Sequence, residues 1–289
     1  MNQNNYNRIQ DFLDLIKQYV IYNKNFEFDD SLVYSLLIRY NLTSNVDSEN
    51  VEELFPLFKQ RYFDDDRINL FEIENKNFLW FEHGKMRGNE VKLYIPMDRE
   101  HLQNGANMLF DFIASTGIEH QSKIATIIRN DNVVVRVNSI EDANKIISFV
   151  NENQYIKEGL NNVNPFLPNC GGVGLAMDNN YSFNSTVADV IADFISILKQ
   201  NNRLDLFTVD ALNSYITECI DEIDDLDLKD IYILLSKTTT KDFELQDFAD
   251  FAYNKKIDDY DSKRRRITDP KHYLEKAILV NEQKYHGSS

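Results

Sequence analysis

Nine glycines and five prolines are all the turn punctuation that this chain of 289 residues carries. Both residues break regular structure, so a chain this poor in them runs in long segments, and the expectation is a helix-rich fold. The one place where they gather is PFLPNCGGVG, from Pro165 to Gly174. Hydrophobic residues make up 43% and aromatics 12%, enough to build a packed core.

Periodicity then sorts the segments. Ile9, Phe12, Leu13, Ile16 and Val20 recur at helical spacing. Asp30 and Ser31 suit the start of a second helix with Leu32, Val33, Leu36 and Leu37. Ser48 opens a third, which Pro56 kinks or ends. Near residue 77 the pattern changes. NFLWFEH and EVKLYIPM are dense in strand formers, and GKMRG between them predicts a hairpin. Asp98 begins a helix with Leu102, Leu109, Phe112 and Ile113 that Gly117 closes. IEHQSKIATII and NVVVRVN predict two more strands, and Ser139 with Asp142 a capping box before Ile146, Ile147 and Val150. Residues 151–184 are less regular. Helical spacing resumes with Val190, Ile191, Phe194, Ile195 and Leu198, and the remainder reads as helical, with Asp269-Pro270 as one helix start. The expected fold is therefore α+β: a central mixed or antiparallel sheet with helices, flanked by helical N- and C-terminal regions. The boundaries read as 1–75 helical, 76–200 the α+β core, and 201–289 helical.

Acidic side chains outnumber basic ones by 47 to 31, a net charge of −16. Such a surface repels nucleic acid and anionic membrane, so neither is an expected partner. The opening MNQNNYNRIQ has no apolar core of a leader, and no stretch approaches 18 apolar residues, so the expectation is a cytoplasmic protein. Two cysteines, Cys170 and Cys219, without a CxxC pair argue against a zinc site and a disulfide framework. The histidines at 83, 101, 120, 272 and 286 lack ligand spacing, so no metal is expected, and nothing calls for a cofactor. GGVG at Gly171–Gly174 has no following G-K-S/T and no G-x-G-x-x-G, and reads as a tight turn. DDLDLKD around Asp225 lacks the glycine and closing glutamate of a calcium loop. Cys170 reads as a buried thiol, and the run from Lys263 to Arg266 as a solvated face. On residue type and position alone, Lys123 reads as a surface lysine on an edge strand.

Three blocks carry a resemblance: KLYIPMDREHL, KIATIIRNDNVVVRV and PFLPNCGGVGLAMDNNYSFN. Their order and spacing from about Val91 to Ile195 resemble the HopA-type family, known from a plant-pathogen effector and from lyases of class V lanthipeptide pathways. More distantly they resemble the OspF-type phosphothreonine lyases, which remove phosphate from phosphoserine or phosphothreonine by β-elimination. The resemblance implies Lys123 as the base that takes the α-proton and Arg129 as a phosphate ligand. It puts Tyr94 where those lyases place a histidine acid. Ser182 and Phe183 stand as the family's Ser-Phe pair, but no arginine follows within the next five residues. Arg136 shares the two adjacent predicted strands with Lys123 and Arg129. Lys123 and Tyr94 are thus the candidate catalytic residues, and Arg129, Arg136 and Ser182 the candidate substrate-binding ones.

That chemistry needs a base with a pKa near neutrality, cations to grip phosphate, and stabilisation of the departing dianion. A lysine serves when it is desolvated or set beside other cations. The expected partner is a phosphopeptide substrate. Two readings compete: a protein on the same fold that binds a protein partner without turnover, or an acidic phage-borne decoy built on clusters such as Asp64, Asp65 and Asp66.

Overall fold

Strand alternation decides what each face of the sheet presents. On one strand His120, Ser122 and Ile124 are buried while Gln121 and Lys123 between them are half-buried. Successive side chains of a strand point to opposite faces, so one face of that strand is core and the other carries polar groups.

The computed structural model describes residues 3–22, 30–40, 42, 50–72, 77–87, 91–167, 169–177, 182–212 and 214–215. They fall into two units. Residues up to Leu37 and from 182 onward form one; those from Ile38 to 177 form the other.

The second unit holds a seven-stranded sheet. Its strands are β1 (Asn69–Glu72), β2 (Phe78–His83), β3 (Val91–Ile95), β4 (His120–Ala125), β5 (Val133–Val137), β6 (Asn169–Cys170) and β7 (Val173–Met177). Their order is β1-β2-β4-β5-β3-β7-β6, and every pairing is antiparallel. The α+β architecture read from the sequence is the one observed, and its sheet is antiparallel rather than mixed.

Helices α4 (Arg99–Thr116) and α5 (Ile140–Glu152) supply the core of this unit. Leu102, Ala106, Leu109, Phe110 and Ile113 are buried on α4, and Phe110 stacks on Phe81 of β2 at 4.2 Å. Phe112 stacks on Phe149 of α5, also at 4.2 Å. Both helix starts follow the expected capping chemistry. The Asp98 carboxylate accepts from the His101 amide at 2.8 Å, and Ser139 Oγ accepts from the Asp142 amide at 3.1 Å. Gly117 closes α4 in the left-handed conformation at φ 67°. The GGVG turn links β6 to β7, with Gly171 and Gly172 at φ 66° and 93°.

Two expectations need correction. Pro56 neither kinks nor ends a helix; it lies in the first turn of α3 (Phe55–Tyr62), where a missing amide hydrogen costs nothing. The expected hairpin across GKMRG does not form: β2 pairs with β1 and β4, β3 with β5 and β7. Instead, the segment after β2 runs across the ends of β4 and β5. Asn138 donates to the Lys85 carbonyl at 2.9 Å and accepts from the Arg87 amide at 2.9 Å, and Arg87 pairs with Glu119 at 2.8 Å. The β4–β5 hairpin thereby sits between the two strands expected to be partners.

In the first unit α1 (Gln3–Tyr22) and α2 (Asp30–Leu37) bear out the helical reading of the N-terminus, and α7 (Phe183–Gln200) that of Val190–Leu198. Phe194 stacks on Tyr215 at 4.8 Å, and the Val209 amide donates to Gln10 Oε1 at 3.0 Å. No described helix is long and apolar enough to cross a membrane. Ser48, Cys219, Asp225, Lys263–Arg266 and Asp269-Pro270 lie outside the described residues.

Candidate functional site on the sheet face turned away from Phe110

Register places the candidate residues in two rows across the sheet. One row runs Trp80, Lys123, Val134, Tyr94, Gly174. The next runs Glu82, Gln121, Arg136, Lys92, Ala176. Partners in an antiparallel register share a face, so Lys123, Arg136, Lys92 and Tyr94 all belong to the face turned away from Phe81 and Phe110. Lys123 and Arg136 are diagonal neighbours on adjacent strands, with Cβ atoms roughly 7 Å apart. Tyr94 lies two strands from Lys123 in the same row, about 10 Å away along the sheet.

Lys123 is not an edge-strand lysine. β4 is the third of the seven strands, flanked by β2 and β5. Its ammonium Nζ stands 4.0 Å from the centre of the Phe78 ring and 5.2 Å from that of Trp80, and takes part in no ion pair among the described residues. Burial pushes its pKa down to about 8, helped by the positive charges of Lys92, Arg129 and Arg136 and opposed by Asp131. An amine tuned this way is a competent general base near neutral pH.

Arg129 reaches the same face from the β4–β5 turn, with its guanidinium carbon 5.7 Å from the Phe78 ring centre. Lys123 and Arg129 therefore meet around one ring. The fork of Arg129 is engaged by Asp131: Nε donates to Oδ1, and Nη2 donates to Oδ2 at 2.8 Å. Both side chains are buried. The turn itself is fixed by Asn132, whose side chain accepts from the Met97 amide at 2.9 Å and donates to the Met97 carbonyl at 2.7 Å. Arg136 donates through Nη1 to Gln121 Oε1, its row neighbour.

Apolar side chains pack at both ends of these rows. Phe71, Phe78 and Trp80 form an aromatic side over β1 and β2, with Phe71 and Trp80 stacked at 6.1 Å. On the other side Val163 and Leu167 approach Gly174 so closely that a Cβ there would stand 3.1 and 2.9 Å from their methyl groups. Tyr94, only 2% exposed, lies between Val134 and Gly174.

Lys92 escaped the sequence reading. It is 9% exposed, opposes Arg136 in the register, and its positive charge disfavours the charged form of Lys123. The signal was present, since Lys92 is two residues from Tyr94 on one strand and must share its face. Ser182 belongs to the other unit, where it precedes α7 as its N-terminal cap residue without a side-chain capping bond. His120 faces the helices, as a packed residue: Nδ1 lies 2.8 Å from Ser122 Oγ and the ring 6.2 Å from that of Phe110. Cys170 is half-buried, with burial pushing its thiol up to about 11, so it is no thiolate at neutral pH. Among the described residues no cluster of three or more His, Cys, Asp or Glu is placed to hold a metal ion.

No protein-family model and no curated protein matches this chain. Solved structures do resemble it. An effector protein from Pseudomonas syringae pv. syringae strain 61 aligns over 72% of this chain and 93% of its own, at 12% identity and a TM-score of 0.45. An effector protein from Pseudomonas syringae pv. tomato strain DC3000 aligns over 70% and 93%, at 10% identity and a TM-score of 0.43. Neither likeness is strong enough to carry a fold or a function, so the site stands on this chain's own residues.

Proposed function

We propose that this protein is a carbon–oxygen lyase that eliminates phosphate from phosphoserine or phosphothreonine in a peptide. The observation that carries the reading is Lys123: a desolvated amine, pushed down to about 8, on a sheet face shared with Lys92 and Arg136 and joined there by Arg129. The Lys123 amine takes the Cα proton of the phosphorylated residue. The electron pair left behind forms the Cα–Cβ double bond as the Cβ–O bond breaks, and phosphate leaves with both electrons of that bond. Lys92 and Arg136 stabilise the departing dianion. The Tyr94 hydroxyl is the proton donor to the leaving oxygen, where the resembled lyases use a histidine.

A peptide carrying one phosphothreonine tests this. The expected product lacks the elements of phosphoric acid and contains an alkene, which mass spectrometry and thiol addition both read. A phosphatase would instead leave threonine. Lys123→Ala is expected to reduce the rate at least a hundredfold, within the range general bases contribute. Unchanged turnover in that variant would remove the mechanism.

A second reading draws on Arg129. Its Nε and Nη2 are both given to Asp131, so less of its fork is available to a phosphoryl group than the elimination mechanism wants. On that reading the protein binds a protein partner without turnover. Phosphopeptides that neither bind tightly nor lose phosphate after long incubation are its signature.

A further inference from the structure

We infer that Phe78 and Trp80 are positioning residues for Lys123, holding its amine on the sheet face by their rings and favouring the protonated form there. The inference deepens the reading of Lys123 as a base and rests on it for its catalytic consequence. A cation over an aromatic face is attracted by the negative face of the ring quadrupole, most strongly where water is excluded. Lys123 Nζ lies 4.0 Å from the Phe78 centre and 5.2 Å from the Trp80 centre. Register fixes the arrangement. Phe78 and Trp80 are two residues apart on β2, and Lys123 is the direct partner of Trp80 on β4. Phe71, partner of Trp80 on β1, lies nearly parallel to the indole at 14° and backs it.

The surrounding charges explain why such a hold is needed. Lys92 approaches from β3, Arg136 from β5, and Arg129 from the turn, and all three oppose a positive charge on Lys123. Asp131 favours that charge, but its carboxylate already receives the Arg129 fork. Glu82, one row away on β2, accepts from Asn69 at 3.0 Å. The rings are therefore an attraction that acts on Lys123 directly, and Phe78 serves Arg129 as well. Once the amine loses its proton, the ring attraction goes with it, and the base is released toward a Cα–H.

Competitive acetylation of the whole protein, followed across the neutral and alkaline range by peptide mass spectrometry, reads the ionisation of Lys123 without turnover. Phe78→Leu is expected to lower the midpoint by about half a unit to one unit, and Phe78→Tyr, which keeps the ring, to restore it. Trp80→Leu is expected to give a smaller shift of the same sign, since its ring is farther away, and stands in if Phe78→Leu does not fold. Trp80 is the chain's one tryptophan, so its emission should titrate with the same midpoint and lose that step in Lys123→Met. A midpoint that stays or rises in folded Phe78→Leu and Trp80→Leu overturns the inference, because the rings would then only exclude water. A midpoint that falls as expected while phosphopeptides remain intact upholds the ring hold and removes the lyase reading alone.

Discussion

Lys123 is expensive to bury, and its ionisation says in which direction and over what pH. Its ordinary value of 10.5 falls to about 8 in the folded chain, chiefly through burial. The unfolded chain thus holds more protons than the folded one between those two values, and stability rises with pH across that window. Below about pH 8 the full cost is present, on the order of 3 kcal/mol before any relaxation. Lys123→Met keeps the stem and removes the charge. It is expected to stabilise the protein at pH 7 by about 1 to 3 kcal/mol, with the gain shrinking as pH approaches 10.5. Chemical denaturation at the two ends of that range measures it. A destabilised Lys123→Met would mean that the ammonium is well solvated, and the base assignment would lose its footing.

One strand, β4, carries both of the chemically distinctive environments, and its alternation keeps them apart. His120 and Ser122 turn toward α4, whereas Lys123 turns to the cationic face. A slip of one residue would exchange them, so the register is specified from both sides. On the helix side burial holds His120 down to about 4, with His83 adding to the effect, against an ordinary 6.5. The unfolded chain takes this proton first as pH falls, so stability drops between about 6.5 and 4 and is flat in this contribution below. His120→Phe, combined with Ser122→Ala to avoid leaving the buried hydroxyl unpaired, is expected to flatten that acid limb by about 2 to 3 kcal/mol. Urea midpoints at the two ends of the window read the change; an unaltered acid limb would place the proton uptake elsewhere. The strand–helix alternation around β4 was legible, because capping residues, Gly117 and alternating patterns are local signals. The partner of β2 was not. GKMRG carries the composition of a turn, yet what directs it is Asn138 and Glu119, more than thirty residues later. Gly84, at φ 72°, is where the chain bends, and a Cβ there would sit 2.5 Å from the Glu119 side chain. For the same reason sequence alone brought Lys123 and Arg136 to adjacent strands but not to one face; the parity across the 126–132 turn depends on how many residues it consumes.

At the scale of the whole molecule the cations at the site are opposite in sign to the net charge of the chain. The chain carries −16, while the groups acting most strongly on Lys123 are three cations and one carboxylate. For the proposed elimination this means that a phosphopeptide is repelled at long range and attracted only at close range. The Debye length is about 8 Å at physiological ionic strength, so salt screens the distant acids far more than the buried cations. A phosphopeptide whose flanking residues are basic neutralises the outer repulsion and keeps the inner attraction, and one with acidic flanks does neither. With matched peptides that differ only in flanking charge, the basic one is expected to show a kcat/KM several times higher at low salt. That ratio should fall toward one as ionic strength rises past about 0.15 M. A preference that survives high salt would assign the discrimination to direct contacts near the aromatic wall of Phe71, Phe78 and Trp80. A preference for acidic flanks would mean that the cationic face, and not the net charge, governs the approach of substrate.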